Sequence, residues 1–142
     1  MKVRMEAQQK SALELARWLK ERPEVQDVLY PPLESDPGHE LWKRDFSGAG
    51  ALFSIVLEKT PRKAIAAMLD GYEFFGIGAS WGGFDSLVEL CHPERSAVNR
   101  KGTVWNEGNS TIVRFAIGLE DVDDLRRDLE LGFARLNDAL GR

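Results

Sequence analysis

Arg114 is the residue whose setting in the sequence most strongly indicates a binding role. It lies in the middle of Thr111–Ile117, where apolar alternation predicts a β-strand, and it shares one face with Ile112 and Ala116. A guanidinium in an apolar strand is costly unless its donors are satisfied, and its planar fork fits a carboxylate. The pattern leaves three interpretations open: a bound carboxylate ligand, an ion pair with an acid of the same chain, or an edge strand with Arg114 in water.

A glycine-rich segment is the second candidate for ligand binding. Residues 75–83 read Phe-Gly-Ile-Gly-Ala-Ser-Trp-Gly-Gly. Glycines allow a ligand to approach backbone N–H groups closely, while Ser80 adds a hydroxyl and Trp81 a large flat surface. The segment does not match the dinucleotide-binding pattern, which needs Gly-x-Gly-x-x-Gly between a strand and a helix. A bulged strand that ends in a turn, with Trp81 in the core, is the alternative interpretation.

Other residues capable of chemistry lack suitable partners in the sequence. Residues 120–124 are rich in acids, but their spacing is typical of a helix N-terminus and not of a calcium loop. His39 and His92 lie far apart, with no Cys or His at the spacing of a zinc site. Cys91, the single cysteine, is interpreted as a small buried apolar residue. No metal site is expected.

Composition excludes several classes of function. The formal net charge is −4 and the basic residues are scattered among acids, so nucleic acid is not an expected partner. The apolar runs are too short to span a bilayer, and the first residues do not resemble a secretory signal. A single cysteine suits a reducing compartment. A cytoplasmic protein that binds neither membrane nor nucleic acid is expected.

The elements that must position the candidate residues are predicted to form one α/β domain over residues 1–142. We expect an α+β two-layer fold, with a small, mostly antiparallel sheet covered on one face by helices. Ser35 or Asp36 is the expected N-cap of the second helix, and Asp121 that of the last. Residues 92–110 predict a long irregular connection. The predicted helices are 4–22, His39–Phe46, Arg62–Leu69 and 122–140, and the predicted strands are Val25–Tyr30, Ala51–Glu58, Phe74–Ala79, Ser86–Cys91 and Thr111–Ile117.

Three segments, in the same order along the chain, resemble bacterial cystathionine β-lyases of the Cys/Met metabolism family, which use pyridoxal phosphate. Residues 80–87, Ser-Trp-Gly-Gly-Phe-Asp-Ser-Leu, are similar to the family's Ser-Trp-Gly-Gly-Tyr-Glu-Ser-Leu. Residues 112–125 resemble its arginine strand and following helix, and residues 39–48 match a third segment. Related enzymes often have Leu at the position of Trp81, so this residue favours the β-lyase branch. Phe84 and Asp85 are mild departures from the family pattern.

The resemblance implies a role for each candidate residue. In this family the arginine that corresponds to Arg114 binds the α-carboxylate of the substrate, and Ser80 and Trp81 would line the same pocket. The fold would be that of the C-terminal domain of a fold-type I enzyme. The complete enzyme would cleave the Cβ–S bond of cystathionine to homocysteine, pyruvate and ammonia in methionine biosynthesis, as a homo-oligomer.

The resemblance also implies that this chain holds about the last third of the enzyme. The Schiff-base lysine, the phosphate-binding loop and the aspartate that contacts the pyridine nitrogen would belong to an N-terminal remainder. None of the lysines of this chain stands in a matching sequence context. We therefore expect no catalytic or cofactor-binding residue here, and no lyase activity from the chain alone. A stand-alone amino-acid-binding or regulatory module and a non-functional gene fragment are the alternatives.

Overall fold

The computed structural model describes residues 1–92 and 110–142. Within these ranges the chain forms helices and strands that alternate irregularly. Most of the connection predicted for residues 92–110 lies outside the described residues, and Ser110 already belongs to a strand. The elements are α1 (Lys2–Lys20), β1 (Val25–Leu29), α2 (His39–Asp45), β2 (Leu52–Glu58), α3 (Arg62–Leu69), β3 (Gly76–Ile77), β4 (Leu87–Cys91), β5 (Ser110–Ala116) and α4 (Val122–Leu140).

The strands form one mixed sheet in the order β1-β2-β5-β4-β3. All neighbouring strands are antiparallel except β3 and β4, which are parallel. Strand β5, which carries Arg114, is an inner strand with β2 on one side and β4 on the other. Arg114 is therefore not on an edge strand, and one of the three interpretations of its setting is removed.

One face of the sheet forms the hydrophobic core. The alternating residues Phe53, Ile55 and Leu57 of β2 are almost fully buried, as are Val113 and Phe115 of β5. Helices α1, α3 and α4 supply the other half of this core, so the predicted two-layer arrangement is confirmed. Burial of these apolar side chains is the main favourable free-energy term for the fold. Their helical partners include Ala12, Leu15, Leu19, Ala64, Ile65, Met68, Leu125, Leu129, Phe133 and Leu136.

Helix α4 has the start signal that the sequence predicts. The Asp121 side chain accepts a hydrogen bond from the Asp123 backbone N–H at 2.9 Å, as an N-cap should. The helix ends at Gly141, whose φ of 73° lies in the left-handed region that glycine adopts without strain. In the part of the chain described, no helix combines the length and the apolar character needed to cross a membrane.

Two sequence predictions about local structure are wrong. Helix α2 begins after Gly38, which makes no side-chain cap, and neither Ser35 nor Asp36 serves as its N-cap. The Asp36 carboxylate instead accepts from the N–H of Gly38 at 2.7 Å and of Tyr30 at 2.9 Å, and so fastens the turn after β1. The strand predicted over Phe74–Ala79 is reduced to Gly76–Ile77, because glycines add no side-chain packing to an edge strand.

Candidate functional site

The Arg114 side chain leaves the sheet on the face opposite the core and reaches the glycine-rich turn. Its Nη2 atom donates to the backbone oxygen of Ala79 at 2.9 Å and lies 2.6 Å from Oε2 of Glu89. The guanidinium carbon lies 5.7 Å from the centroid of the Trp81 ring, within range of a cation–π contact. The two candidate motifs, distant in sequence, are therefore neighbours in space.

The turn residues are presented to solvent. The Trp81 side chain is 63% exposed, so the alternative that placed this ring in the core is wrong. Ser80 is exposed between Ala79 and Trp81. A partly exposed arginine beside an exposed aromatic ring is suited to pair with a carboxylate, because the guanidinium supplies a permanent positive charge and N–H donors.

Glu89 is a site residue that sequence reasoning missed. Pairing of β4 with β5 sets Glu89 directly opposite Arg114, so the acid and the base share one face of the sheet. The ion pair is accessible to water, since the Arg114 side chain is 24% exposed and that of Glu89 is 36% exposed. The sequence contained a signal for this residue. In Leu87–Cys91, Glu89 is a single charged residue among apolar neighbours, just as Arg114 is in β5.

A buried glutamine of α1 anchors the end of the glycine-rich turn by a hydrogen bond. Gln8 is only 4% exposed, and its Nε2 donates to the backbone oxygens of Gly83 at 2.7 Å and Ile117 at 3.0 Å. Arg4, one turn earlier, reaches the Gly82 oxygen at 3.2 Å. Sequence reasoning missed Gln8, although it lies four residues before Ala12 on the buried stripe of the helix, where a polar side chain needs a partner.

The segment that follows the turn is fastened to the end of β5. Both the backbone N–H and the hydroxyl of Ser86 donate to the Glu120 carboxylate, at 2.7 and 2.8 Å. The hydroxyl oxygen of Ser86 also accepts from the Gly118 N–H at 2.8 Å. The Leu119 N–H donates to the Phe84 oxygen at 2.8 Å. With Gln8 at Gly83, this network anchors the backbone of residues 83–86, while residues 79–85 stay exposed.

A largely apolar cavity of about 360 Å³ lies beside Trp81. The start of α1, residues 50–52 and Ala116 line it together with Trp81 and Gly82. Arg114 and Ser80 are not among its lining residues.

Cys91 lies on the Arg114 face of the sheet, opposite Ile112. Its thiol is half-buried, and burial raises the pKa of the thiol. The nearby positive charge of Arg114 lowers this pKa, but the effect of burial is larger. The thiol form is therefore favoured, and this environment does not suit a nucleophile. Among residues 1–92 and 110–142, no group of three His, Cys, Asp or Glu side chains could hold a metal ion.

The described lysines do not fit the needs of pyridoxal phosphate, the cofactor that the resemblance implies. A lysine that forms a Schiff base is activated by desolvation or by a neighbouring cation. Every described lysine instead has an exposed side chain: Lys2, Lys10, Lys20, Lys43, Lys59 and Lys63. Lys101 lies outside the described residues. None of the described lysines therefore has the desolvated setting that activates a Schiff-base lysine.

Comparison with known proteins gives consistent matches over almost the whole chain. The sequence model of the Cys/Met metabolism PLP-dependent enzymes matches residues 1–134. Cystathionine beta-lyase MetC of Escherichia coli (strain K12) is 44% identical over 136 residues, which cover 94% of this chain and 34% of that protein. The L-alanine/L-glutamate racemase of Wolbachia pipientis wMel is 42% identical, over 94% of this chain and 32% of that protein.

The solved structures agree with the fold. Cystathionine gamma synthase from Xanthomonas oryzae pv. oryzae, in complex with aminoacrylate and cysteine, superposes with a TM-score of 0.81 at 31% identity. The match covers 97% of this chain and 36% of that one. The predicted fold, that of the C-terminal part of fold-type I PLP enzymes, is confirmed. This chain spans about a third of the length of the relatives it matches.

Proposed function

Since the chain belongs to the Cys/Met metabolism PLP-dependent enzyme family, we propose that it forms the C-terminal, carboxylate-binding domain of a cystathionine β-lyase-type enzyme. The complete enzyme would cleave the Cβ–S bond of a cystathionine-like thioether, releasing homocysteine, pyruvate and ammonia. This reaction belongs to methionine biosynthesis, and the enzyme would act in the cytoplasm as a homo-oligomer. The observation that carries the proposal is the contact of the Arg114 guanidinium with the exposed turn at Ala79–Trp81.

In this proposal Arg114 binds the α-carboxylate of the substrate through paired, charge-assisted hydrogen bonds. Its position on an inner strand supports this role, because the backbone on both sides is fixed by ladder hydrogen bonds. The Trp81 ring limits access of water to one side of the guanidinium, and the Ser80 hydroxyl would line the same pocket. The share of this chain is thus to hold and orient the amino-acid end of the substrate.

The remainder of the enzyme would supply the pyridoxal phosphate site. The cofactor acts as an electron sink when it is bound, and the exposed lysines of this chain do not contribute to it. Large apolar side chains left exposed at the start of α1 and the end of α2 support contact with an N-terminal remainder, among them Met1, Val3, Met5 and Phe46. The chain alone would be inactive as a lyase.

A second candidate is an amino-acid-binding or regulatory module that keeps the fold without lyase chemistry. It is supported by the same Arg114 geometry together with the absence of a suitable lysine among the described residues. The relative named as a racemase has nearly the same identity as the β-lyase, so the carboxylate site is compatible with more than one reaction. Assays of β-elimination and of racemisation on the complete protein would identify either enzyme activity, and amino-acid binding without turnover in both assays would favour the module.

Substitution of Arg114 tests the proposed role. In the complete enzyme, Arg114→Lys should lower kcat/KM about ten- to a hundredfold, because a point ammonium cannot replace two parallel charge-assisted hydrogen bonds. The melting temperature should change little, since the side chain is partly exposed and outside the core. Arg127→Lys is the control, because its side chain is 72% exposed on α4. Lost stability with unchanged activity per folded molecule would mean that Arg114 is a structural residue.

A further inference from the structure

Two acceptors of the same chain already contact the guanidinium of Arg114. Its Nη2 atom is engaged twice, by Oε2 of Glu89 at 2.6 Å and by the Ala79 backbone oxygen at 2.9 Å. An amino nitrogen of a guanidinium carries two hydrogens: one is donated to the Ala79 oxygen, and the Glu89 carboxylate occupies the space beside the same nitrogen as an ion pair. Any third acceptor at this nitrogen must displace one of the two.

This occupancy matters because Nη2 belongs to both edges at which a guanidinium can bind a carboxylate in a bidentate way. One edge pairs Nη1 with Nη2, and the other pairs Nε with Nη2. With Nη2 committed to Glu89 and Ala79, neither edge of Arg114 can offer two parallel hydrogen bonds. A substrate carboxylate that uses the full fork must therefore replace Glu89 or the Ala79 oxygen.

We propose that Glu89 is an affinity-setting residue whose carboxylate holds the place of the substrate carboxylate on Arg114 and must release Nη2 when an amino acid binds. The inference rests on the proposed carboxylate-binding function of Arg114 and deepens it. Glu89 is the partner that moves, because its side chain is 36% exposed and can turn to water. The Ala79 oxygen belongs to the backbone of a turn whose following residues are held by Gln8 and Ser86.

Two consequences follow for the unliganded protein. Glu89 keeps the guanidinium neutralised and directed along the sheet toward the turn, so that the fork is already oriented when a carboxylate arrives. It also makes binding an exchange of one carboxylate for another, which lowers affinity for the incoming one. Because the pair is accessible to water, the exchange costs little, and the expected loss of affinity is only about two- to fivefold.

The test is a titration of the whole 142-residue chain with sodium acetate and with L-alanine at constant ionic strength. The Nε–H resonance of Arg114 and the indole resonance of Trp81 are followed by NMR, in the unchanged chain and in three variants. Glu89→Gln keeps the size of the side chain and removes its charge. Glu130→Gln is the control for charge alone, since Glu130 is exposed on α4. Arg114→Gln removes the guanidinium.

Glu89→Gln should bind both probes about two- to fivefold more tightly than the unchanged chain and Glu130→Gln, while Arg114→Gln should lose the shift changes. Equal or weaker binding by Glu89→Gln, with binding still dependent on Arg114, would overturn the role of Glu89 and leave the proposed function standing. Binding that persists in Arg114→Gln would overturn the proposed function of Arg114 itself. Absence of binding in every variant would overturn both.

Discussion

At the scale of the single residue, Arg114 illustrates what a strand pattern can and cannot decide. The period of two predicts that the side chains of Arg114 and Phe115 lie on opposite faces of the sheet. The structure agrees, since Phe115 is in the core and Arg114 is on the other face. The pattern cannot identify what Arg114 meets, because that depends on how β5 is aligned with β4 and β2. The register brings Glu89 and Ser54 to its sides, and no local signal encodes that alignment.

The sequence marks Ser80 and Trp81 only as members of a glycine-rich segment and through a family resemblance. Their nearness to Arg114 is a tertiary fact. The role of each in binding remains a proposal, and the geometry supports it through the contact of Arg114 with Ala79 and Trp81. Residue spacing along the chain could not have given this contact, since the loop after β3 brings it about.

Gly118 is a residue whose substitution should disturb the anchoring of the turn. A Cβ at this position would overlap the Phe84 backbone oxygen and Oε2 of Glu120. Gly118→Ala should lower the free energy of unfolding by about 1–3 kcal/mol, because backbone must move to relieve the overlap. Urea denaturation would measure the loss.

Gly50→Ala is the matched control for this prediction. A Cβ at Gly50 would meet no heavy atom within 4 Å, so its effect on stability should be small. If Gly118→Ala is as stable as Gly50→Ala, the packing of residues 84–86 against the end of β5 is looser than described.

At the scale of the element, the sequence predicted best where an amphipathic pattern and burial agree. Strands β2 and β5 and helix α4 have apolar residues at the periods of their structures, and the core contains those residues. The prediction failed where tertiary contacts override local signals. Asp36 and Ser35 look like N-caps of α2, yet Asp36 is used by the turn that follows β1. In the described part of the chain, strand β3 is an edge strand that pairs with β4 alone, and its glycine adds no side-chain packing.

Helix α4 should contribute a large part of the stability of the chain. Leu129 is fully buried in the core between this helix and its neighbours, so Leu129→Ala should lower the free energy of unfolding by about 2–5 kcal/mol. Leu131→Ala, on the same helix, is the control, because Leu131 is 53% exposed and its truncation leaves no cavity. A loss below about 0.5 kcal/mol for Leu129→Ala would contradict the assignment of the buried face.

At the scale of the whole molecule, the chain has a core of its own together with apolar side chains that it does not cover. The core joins one face of the sheet to three helices. The uncovered side chains near the turn include Trp81 and Phe84 as well as Met1, which precedes α1, and Met5 in its first turn. The sequence predicted the core from periodicity, but it could not predict which apolar residues stay exposed, because periodicity does not reveal what else packs on a surface.

The division of labour between this chain and the rest of the proposed enzyme can be tested with the cofactor alone. Pyridoxal phosphate forms a stable Schiff base with a protein where the lysine is activated by desolvation or by a neighbouring cation. The described lysines are all exposed, so none has the desolvated setting that activates such an amine. We therefore expect no saturable site for the cofactor on the chain.

After addition of one equivalent of pyridoxal phosphate and reduction with borohydride, peptide mass mapping should find only sparse labels spread over several lysines. The same distribution should appear when the chain is first unfolded in urea, because random labelling does not require a folded pocket. Stoichiometric labelling of a single lysine, present in the folded chain and lost on unfolding, would show a built cofactor site and would overturn the proposal that this chain serves only the carboxylate of the substrate.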